Sequence, residues 1–337
     1  MPQRRGDVIL FDRPPAVDAW AAVGGKKEGE GPLAAGFDLL FEDNRLGQPT
    51  WEKAESELQR QCMNLLRRAG LAPDALSLVF GGDLQCQCTA SHYAMRQLDV
   101  PFAGLYGACS TMAEGLALAA CFAACGLADR AAALTSSHFC TAERQYRTPL
   151  TYGGKRTPTA QWTATAAGAV LLTPTGRGPQ VGAVCFGRVR DFDVTDINNM
   201  GAAMAPAAAE TLLRFFARSG RRPEDYDAIY TGDLGFVGSR LLLEILQAEG
   251  LPLQNHQDCG LLLYDRARQQ VKAGGSGAGC SAAVLAAHIL PGLAKGQLRR
   301  VLLLSTGALM SQTTFLQGES IPGIAHLVEL LAPDVPV

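Results

Sequence analysis

The residue best placed for chemistry is Cys109, in the run Gly107-Ala108-Cys109-Ser110-Thr111 between a short apolar stretch and an Ala-rich one. A cysteine where a strand turns into a helix meets the first-turn N–H groups and the positive end of the helix dipole. Both favour a thiolate or a bound anion. Gly107 lets the backbone turn sharply there. A buried thiol opening an Ala-rich helix is the alternative reading of the same residues. The longest polar segment, 138–165, carries His138, Arg144, Arg147, Lys155 and Arg156. Arg144 and Arg147 are three apart on one expected helix face, and guanidinium forks match carboxylates bidentately. Lys155 and Arg156 follow Gly153-Gly154 in an expected loop, where a solvated role is the other reading. His138 ends a strand beside the Cys109 turn. Tyr152 and Trp162 offer faces for an aromatic ring, or fill the core. The set suits nucleophilic thiol chemistry, anion binding, or both.

The elements that position these residues repeat. Residues 69–84 (AGLAPDALSLVFGGDL) return as 219–234 (SGRRPEDYDAIYTGDL), each reading as a helix end, a loop, an apolar strand and a Gly-Asp turn. Asp83 therefore matches Asp233, which can bind ligand or cap its following helix. Cys109-Ser110 opens one Ala-rich helix and Cys280-Ser281 another, after the Gly-rich turn that holds Ser276. LTSS at 134–137 answers LLST at 303–306. Three matches in the same order point to an internally duplicated α/β unit, with halves at 1–178 and 179–337.

Along the chain, 6–12 reads as a first strand and 24–32 as a polar loop. Thr50 reads as the N-cap of a helix at 51–69. Strands follow at 77–81, 102–106, 131–136, 166–173, 181–190, 228–231 and 300–306, with a last one at 327–332. Helices are expected after Asp83 to about 97 and at 111–126, 201–218, 237–249 and 280–290.

The 337 residues suffice for two core-sized units, with 47% hydrophobic and 18% charged residues. A net charge of −2 gives no overall attraction to nucleic acid or anionic lipid. No apolar run approaches a membrane span, and the basic N-terminal stretch is too short in apolar residues for a signal peptide. Ten cysteines form no CxxC pair. Cys86 with Cys88, and Cys121 with Cys125, lack a convincing second pair of metal ligands. Reduced core thiols account for them, and no metal, cofactor or phosphate-loop motif is expected.

Taken with the duplication, the Cys109 turn resembles the thiolase superfamily, and within it the chain is similar to the stage V sporulation protein AD family. The residues carrying this are TWEKAE at 50–55, GDLQ at 82–85, YGACSTMAEGLALA at 106–119 and SSHFCTAERQYRTPLTYGGKRTPTAQWT at 136–163. NNMGAAMAPAA at 198–208, TGDLG at 231–235, HQDCG at 256–260 and AGGSGAGCSA at 273–282 continue it. The resemblance implies an α/β fold of thiolase type, internally duplicated in five layers (α-β-α-β-α), commonly a homodimer. It also implies a protein that is not an enzyme and works with other stage V sporulation membrane proteins. Its place would be peripheral, on the cytoplasmic face of the spore inner membrane. Its implied ligand is pyridine-2,6-dicarboxylic (dipicolinic) acid, free or as the Ca²⁺ chelate, moved into the developing spore and released on germination. The ligand residues are then expected among Cys109, Ser110, His138, Arg144, Arg147, Lys155, Arg156, Asp233 and Ser276.

The alternative is a condensing or thiolytic acyltransferase with Cys109 as nucleophile. Such chemistry needs a base. The catalytic relatives supply a histidine after the second-half strand and another in a Gly-His-Pro turn. Here those places read Thr231-Gly232-Asp233-Leu234 and Gly275-Ser276-Gly277. An Asp could serve only with a raised pKa.

Overall fold

The computed structural model describes residues 2–68, 75–146 and 156–335. Two five-stranded arrangements with the same order make up most of one continuous sheet. In the first, β3 (Ala16–Gly24), β5 (Leu78–Gly82), β6 (Phe102–Gly104), β7 (Ala131–Ser137) and β9 (Ala166–Thr173) lie in the order β6-β5-β7-β9-β3. In the second, β10 (Gln180–Cys185), β11 (Ala228–Thr231), β12 (His256–Asp258), β14 (Arg300–Ala308) and β15 (Gly323–Leu331) lie in the order β12-β11-β14-β15-β10. Directions repeat as well. β5 runs parallel to β6 and β7, as β11 does to β12 and β14. β9 is antiparallel to β7 and β3, as β15 is to β14 and β10. The two meet where Gln180 pairs with Ala16. The repeat read in the sequence is thus a repeat of topology, and the unit changes between Thr173 and Gln180.

Helices fill three layers around these strands. α2 (Trp51–Arg68) and α3 (Thr89–Leu98) cover the outer face of the first half, around Leu58, Met63, Ala132 and Leu171. α6 (Met200–Ser219) and α7 (Gly235–Ala248) cover that of the second, around Leu212, Phe215, Ile229 and Leu302. Between the halves lie α4 (Thr111–Ala124) and α10 (Ala278–Val284), packed in a common core with Phe80, Val170, Tyr230 and Leu303. The strands β7 and β9 are buried on both faces, so they read as runs of Ala, Leu and Val rather than as alternations. Both central helices are Ala-rich and buried nearly all round, as a middle layer requires. This is the five-layer duplicated architecture.

Several expectations are refined. Thr50 does cap α2, its Oγ1 accepting from Lys53 N at 3.3 Å. The single strand expected at 6–12 is a hairpin of β1 (Gln3–Arg5) and β2 (Val8–Leu10), turning at Gly6 in the left-handed region. β3 was not expected at all. Its sequence, AVDAWAAVG, is rich in Ala and Gly and is specified by the layers around it rather than by local propensity. The polar loop expected at 24–32 contains α1 (Lys26–Gly29), and the short β4 (Leu39–Leu40) follows it. The strand expected at 181–190 stops at Cys185. After α10 the helix passes through a π-helical stretch, Leu285–Ile289, into α11 (Leu290–Ala294), where Pro291 has no N–H to give.

Candidate functional site

Cys109 sits in a 3₁₀ turn, Ala108–Ser110, between β6 and α4. Ala108 adopts φ +53, a left-handed conformation that costs a non-glycine residue of order 1–3 kcal/mol. The turn is held by its own hydroxyls. Thr111 Oγ1 donates to Ala108 O at 2.7 Å, and Ser110 Oγ to Gly107 O at 2.6 Å. Gly307 of β14 packs against this turn so closely that a Cβ there would lie 2.7 Å from Gly107 O. The second half therefore builds the back of the Cys109 site.

Asp233 completes it. This fully buried carboxylate accepts from Thr306 Oγ1 at 2.8 Å, Ser276 Oγ at 3.0 Å and Gly277 N at 2.9 Å, and the Cys109 thiol stands beside it. Burial raises the Asp233 pKa against those donors. Burial first, and the adjacent Asp233 charge second, push the Cys109 thiol well above its ordinary range. The helix-start effect that favours a thiolate is outweighed by burial and by Asp233. Asp233 does not cap α7. That role falls to Asp258, which accepts from Leu234 N at 2.8 Å and Gly235 N at 3.1 Å. In the first half Asp83 turns instead to Gln85 N, Ser91 N and Ser91 Oγ.

In front of Cys109 lies a cavity of about 360 Å³, within the size range of small-molecule sites. Its apolar walls include Leu84, Ala142, Met200, Ala308 and Leu309, with Tyr106 and Tyr146 beside the thiol. Its polar lining includes Arg156, Glu143, Gln161, Asn198, Ser276 and Ser311. Ser276 lies on β13 (Gly275–Ser276), which pairs with β8 (Trp162–Thr163) and so fixes the Gln161 and Thr163 wall. Gln161 Nε2 donates to Asp233 O and Gly275 O. Arg156 donates from Nη1 to Gln161 O at 2.8 Å and pairs through Nη2 with Glu143.

The expected site residues fall into three groups. Cys109, Arg156 and Ser276 line the cavity, and Asp233 stands directly behind Cys109. Three others are turned elsewhere. Ser110 spends its N–H and its hydroxyl on Gly107 O. His138 is buried, its Nε2 facing Asn44 O at 2.7 Å and its Nδ1 accepting from Cys140 N at 3.1 Å; burial lowers its pKa. Arg144, on α5 (Phe139–Tyr146), is more than half exposed and pairs with Glu52 of α2. Arg147, Lys155 and Tyr152 lie outside the described residues. Trp162 stacks on Phe139 at 3.9 Å rather than facing the cavity. His256 is half-buried, its Nε2 3.0 Å from Thr231 Oγ1, its pKa pushed down to about 4 by desolvation.

Sequence reasoning missed Glu143, Tyr106, Tyr146, Gln161 and Asn198. Glu143 and Tyr146 are three apart on α5 and both line the cavity, a spacing that could have been read from the helix period. Nothing local marks Asn198, which arrives through the loop after β10. Among the described residues no group of three or more His, Cys, Asp and Glu could hold a metal ion. No helix among them is long and apolar enough to cross a membrane.

Comparison with known proteins agrees with this arrangement. The family described as Stage V sporulation protein AD matches residues 6–331. A relative from Bacillus subtilis (strain 168), Stage V sporulation protein AD, is 43% identical over 319 residues, covering 94% of both chains. Among solved structures, an OleA variant from Xanthomonas campestris is similar at TM-score 0.60 and 13% identity, over 96% of this chain and 100% of that one. The 3-oxoacyl-[acyl-carrier-protein] synthase III of Aquifex aeolicus is similar at TM-score 0.56 and 12% identity, over 94% and 99%. At such identities these two share the fold.

Proposed function

This chain belongs to the stage V sporulation protein AD family, and on that premise we propose that it is a non-catalytic binding protein for dipicolinic acid, free or as its Ca²⁺ chelate. Its thiolase-type scaffold keeps the cavity of the condensing enzymes without their proton shuttle. The observation that carries the non-catalytic part is the contact of Cys109 with Asp233. Asp233 stands beside the thiol where those enzymes place a histidine, and burial with its charge raises the Cys109 pKa; its own raised pKa is what a base there would need, and thioester turnover tests that role.

For the ligand, the cavity offers flat apolar walls to an aromatic ring and the Arg156 fork to one carboxylate. Asn198 and Tyr106 line the cavity as uncharged donors proposed for the second, and Arg147 and Lys155 are its proposed cationic partners. A hydrogen bond to a charged group contributes about 1.5–3 kcal/mol. Removing Arg156 should therefore weaken binding by roughly ten- to a hundredfold. The test is calorimetric titration with dipicolinate of the wild type and Arg156→Ala, with benzoate as a one-carboxylate control. No heat with the wild type, or equal affinity for the two acids, would sink the reading. Turnover of coenzyme A thioesters that is lost on Cys109→Ala would favour the acyltransferase alternative.

The same reading places the protein peripherally on the spore inner membrane beside other stage V membrane proteins, as a homodimer. The outer edge of β6, next to the Cys109 turn and exposed Tyr106, pairs with no strand among the described residues and supports the dimer. Light scattering showing a monomer at micromolar concentration would count against it.

A further inference from the structure

Arg156 is held in place before any ligand arrives. Its guanidinium lies 5.0 Å from the Phe139 ring centroid and 5.1 Å from that of Trp162, and the two rings are stacked on each other. Lys27 Nζ closes on Trp162 as well, at 4.4 Å. Arg156 Nη1 is fixed on Gln161 O, and Gln161 is itself tied to Asp233 O and Gly275 O. These contacts set the position of the fork without Glu143. Yet Glu143 Oε1 occupies Nη2, and Glu143 lines the same cavity. Both side chains are well shielded, 17% and 20% exposed, so solvent does little to mask one carboxylate from another at this fork.

We propose that Glu143 is an intramolecular competitor for Arg156, an internal anion that an incoming carboxylate must displace, and that it sets the affinity and charge selectivity of the cavity. The proposal rests on the anion-binding reading given above. A group that only positioned Arg156 would be redundant with the aromatic stack and the Gln161 carbonyl. A competitor has to hold a nitrogen of the fork from within the cavity lining, and Glu143, which lines the cavity, holds Nη2. An uncharged polar ligand would leave the Glu143–Arg156 pair intact, so the pair discriminates by charge.

The experiment is titration of wild type and Glu143→Gln with dipicolinate and with its uncharged analogue pyridine-2,6-dicarboxamide. Glu143→Gln should bind dipicolinate at least tenfold more tightly, with the diamide changed by less than threefold. Glu143→Asp, whose shorter side chain draws the carboxylate back from Arg156, should tighten dipicolinate binding to a lesser degree; it decides the matter if the Gln variant does not fold. Unchanged or weaker dipicolinate binding in the variants, with the wild type still binding, overturns the competitor role and leaves the binding function standing. An equal gain for acid and diamide also overturns it, since that would reflect cavity shape. Failure of the wild type to bind dipicolinate at all removes the function on which the competitor depends.

Discussion

Replacing Asp233 with Asn separates the two chemical readings of Cys109. In the native chain the Cys109 thiol stands beside the Asp233 carboxylate, and burial together with that charge raises its pKa. Forming a thiolate would set a second negative charge beside the first. At a separation of about 4 Å and an effective dielectric near 20 that repulsion is roughly 4 kcal/mol. At about 1.4 kcal/mol per factor of ten, removing that repulsion would favour the thiolate by up to about a thousandfold. Asn preserves the size and removes the charge. Part of the gain is lost because Thr306, Ser276 and Gly277 N then face a neutral acceptor. We therefore expect Cys109 in Asp233→Asn to be alkylated about ten to a thousand times faster than in the wild type at pH 8. The assay is iodoacetamide labelling followed peptide by peptide by mass spectrometry across pH 7–10. Cys86 and Cys125 are exposed and serve as internal standards whose rates should not change. Equal Cys109 rates in the two proteins would show that Asp233 does not raise the thiol pKa, and the case against a nucleophilic Cys109 would lose its physical basis.

Two further predictions concern the frame of the site. Gly277 adopts φ +106, and a Cβ there would lie 2.5 Å from Ser137 Oγ; Gly277→Ala should lower stability by more than about 1 kcal/mol in urea unfolding, and an unchanged midpoint would refute the strain. Glu55 is buried in α2 among Thr141, Gln85 and Ser136, its pKa pushed up to about 8 by desolvation and by Asp83. An acid raised on folding stabilises fully below its unfolded pKa and loses that contribution as pH rises through the folded value. The wild type should thus lose about 2 kcal/mol between pH 6 and 9 at this group, Glu55→Gln should lose less, and parallel pH profiles for the two proteins would contradict the assignment.

What the sequence disclosed depended on how local each signal was. The duplicated Gly-Asp turns, the two Cys-Ser helix starts and the capped α2 are set by neighbouring residues, and the structure has them where the pattern puts them. β3 escaped because Ala16–Gly24 lacks the β-branched, alternating signature of a half-exposed strand; burial by both neighbouring layers specifies it. Arg144 and Arg156 could not be told apart in sequence. Each has a carboxylate partner, but Glu52 comes from α2 and draws Arg144 to the surface, whereas Glu143 lies one helix turn from Tyr146 and faces inward. The Cys109–Asp233 contact joins one half of the duplication to the other. Only the close approach of β14 to the Cys109 turn, which Gly307 permits, brings it about.

The divergence of the two Gly-Asp turns also bears on how a dianion would lie in the cavity. Asp83 has its charge absorbed by the α3 backbone and Ser91, away from any cavity. Asp233 keeps part of its charge directed at Cys109. A carboxylate of the ligand placed against Cys109 would therefore meet like charge at short range in a poorly solvated corner, where repulsion is strongest. The favourable end of the cavity is the opposite one, at the Arg156 fork, while Cys109, Leu84 and Ala308 present apolar surface to a ring edge. The Asp233 charge beside Cys109 thus disfavours a thiolate there. On the proposed reading, the same charge would favour the Arg156 end of the cavity for one carboxylate of an aromatic dicarboxylate.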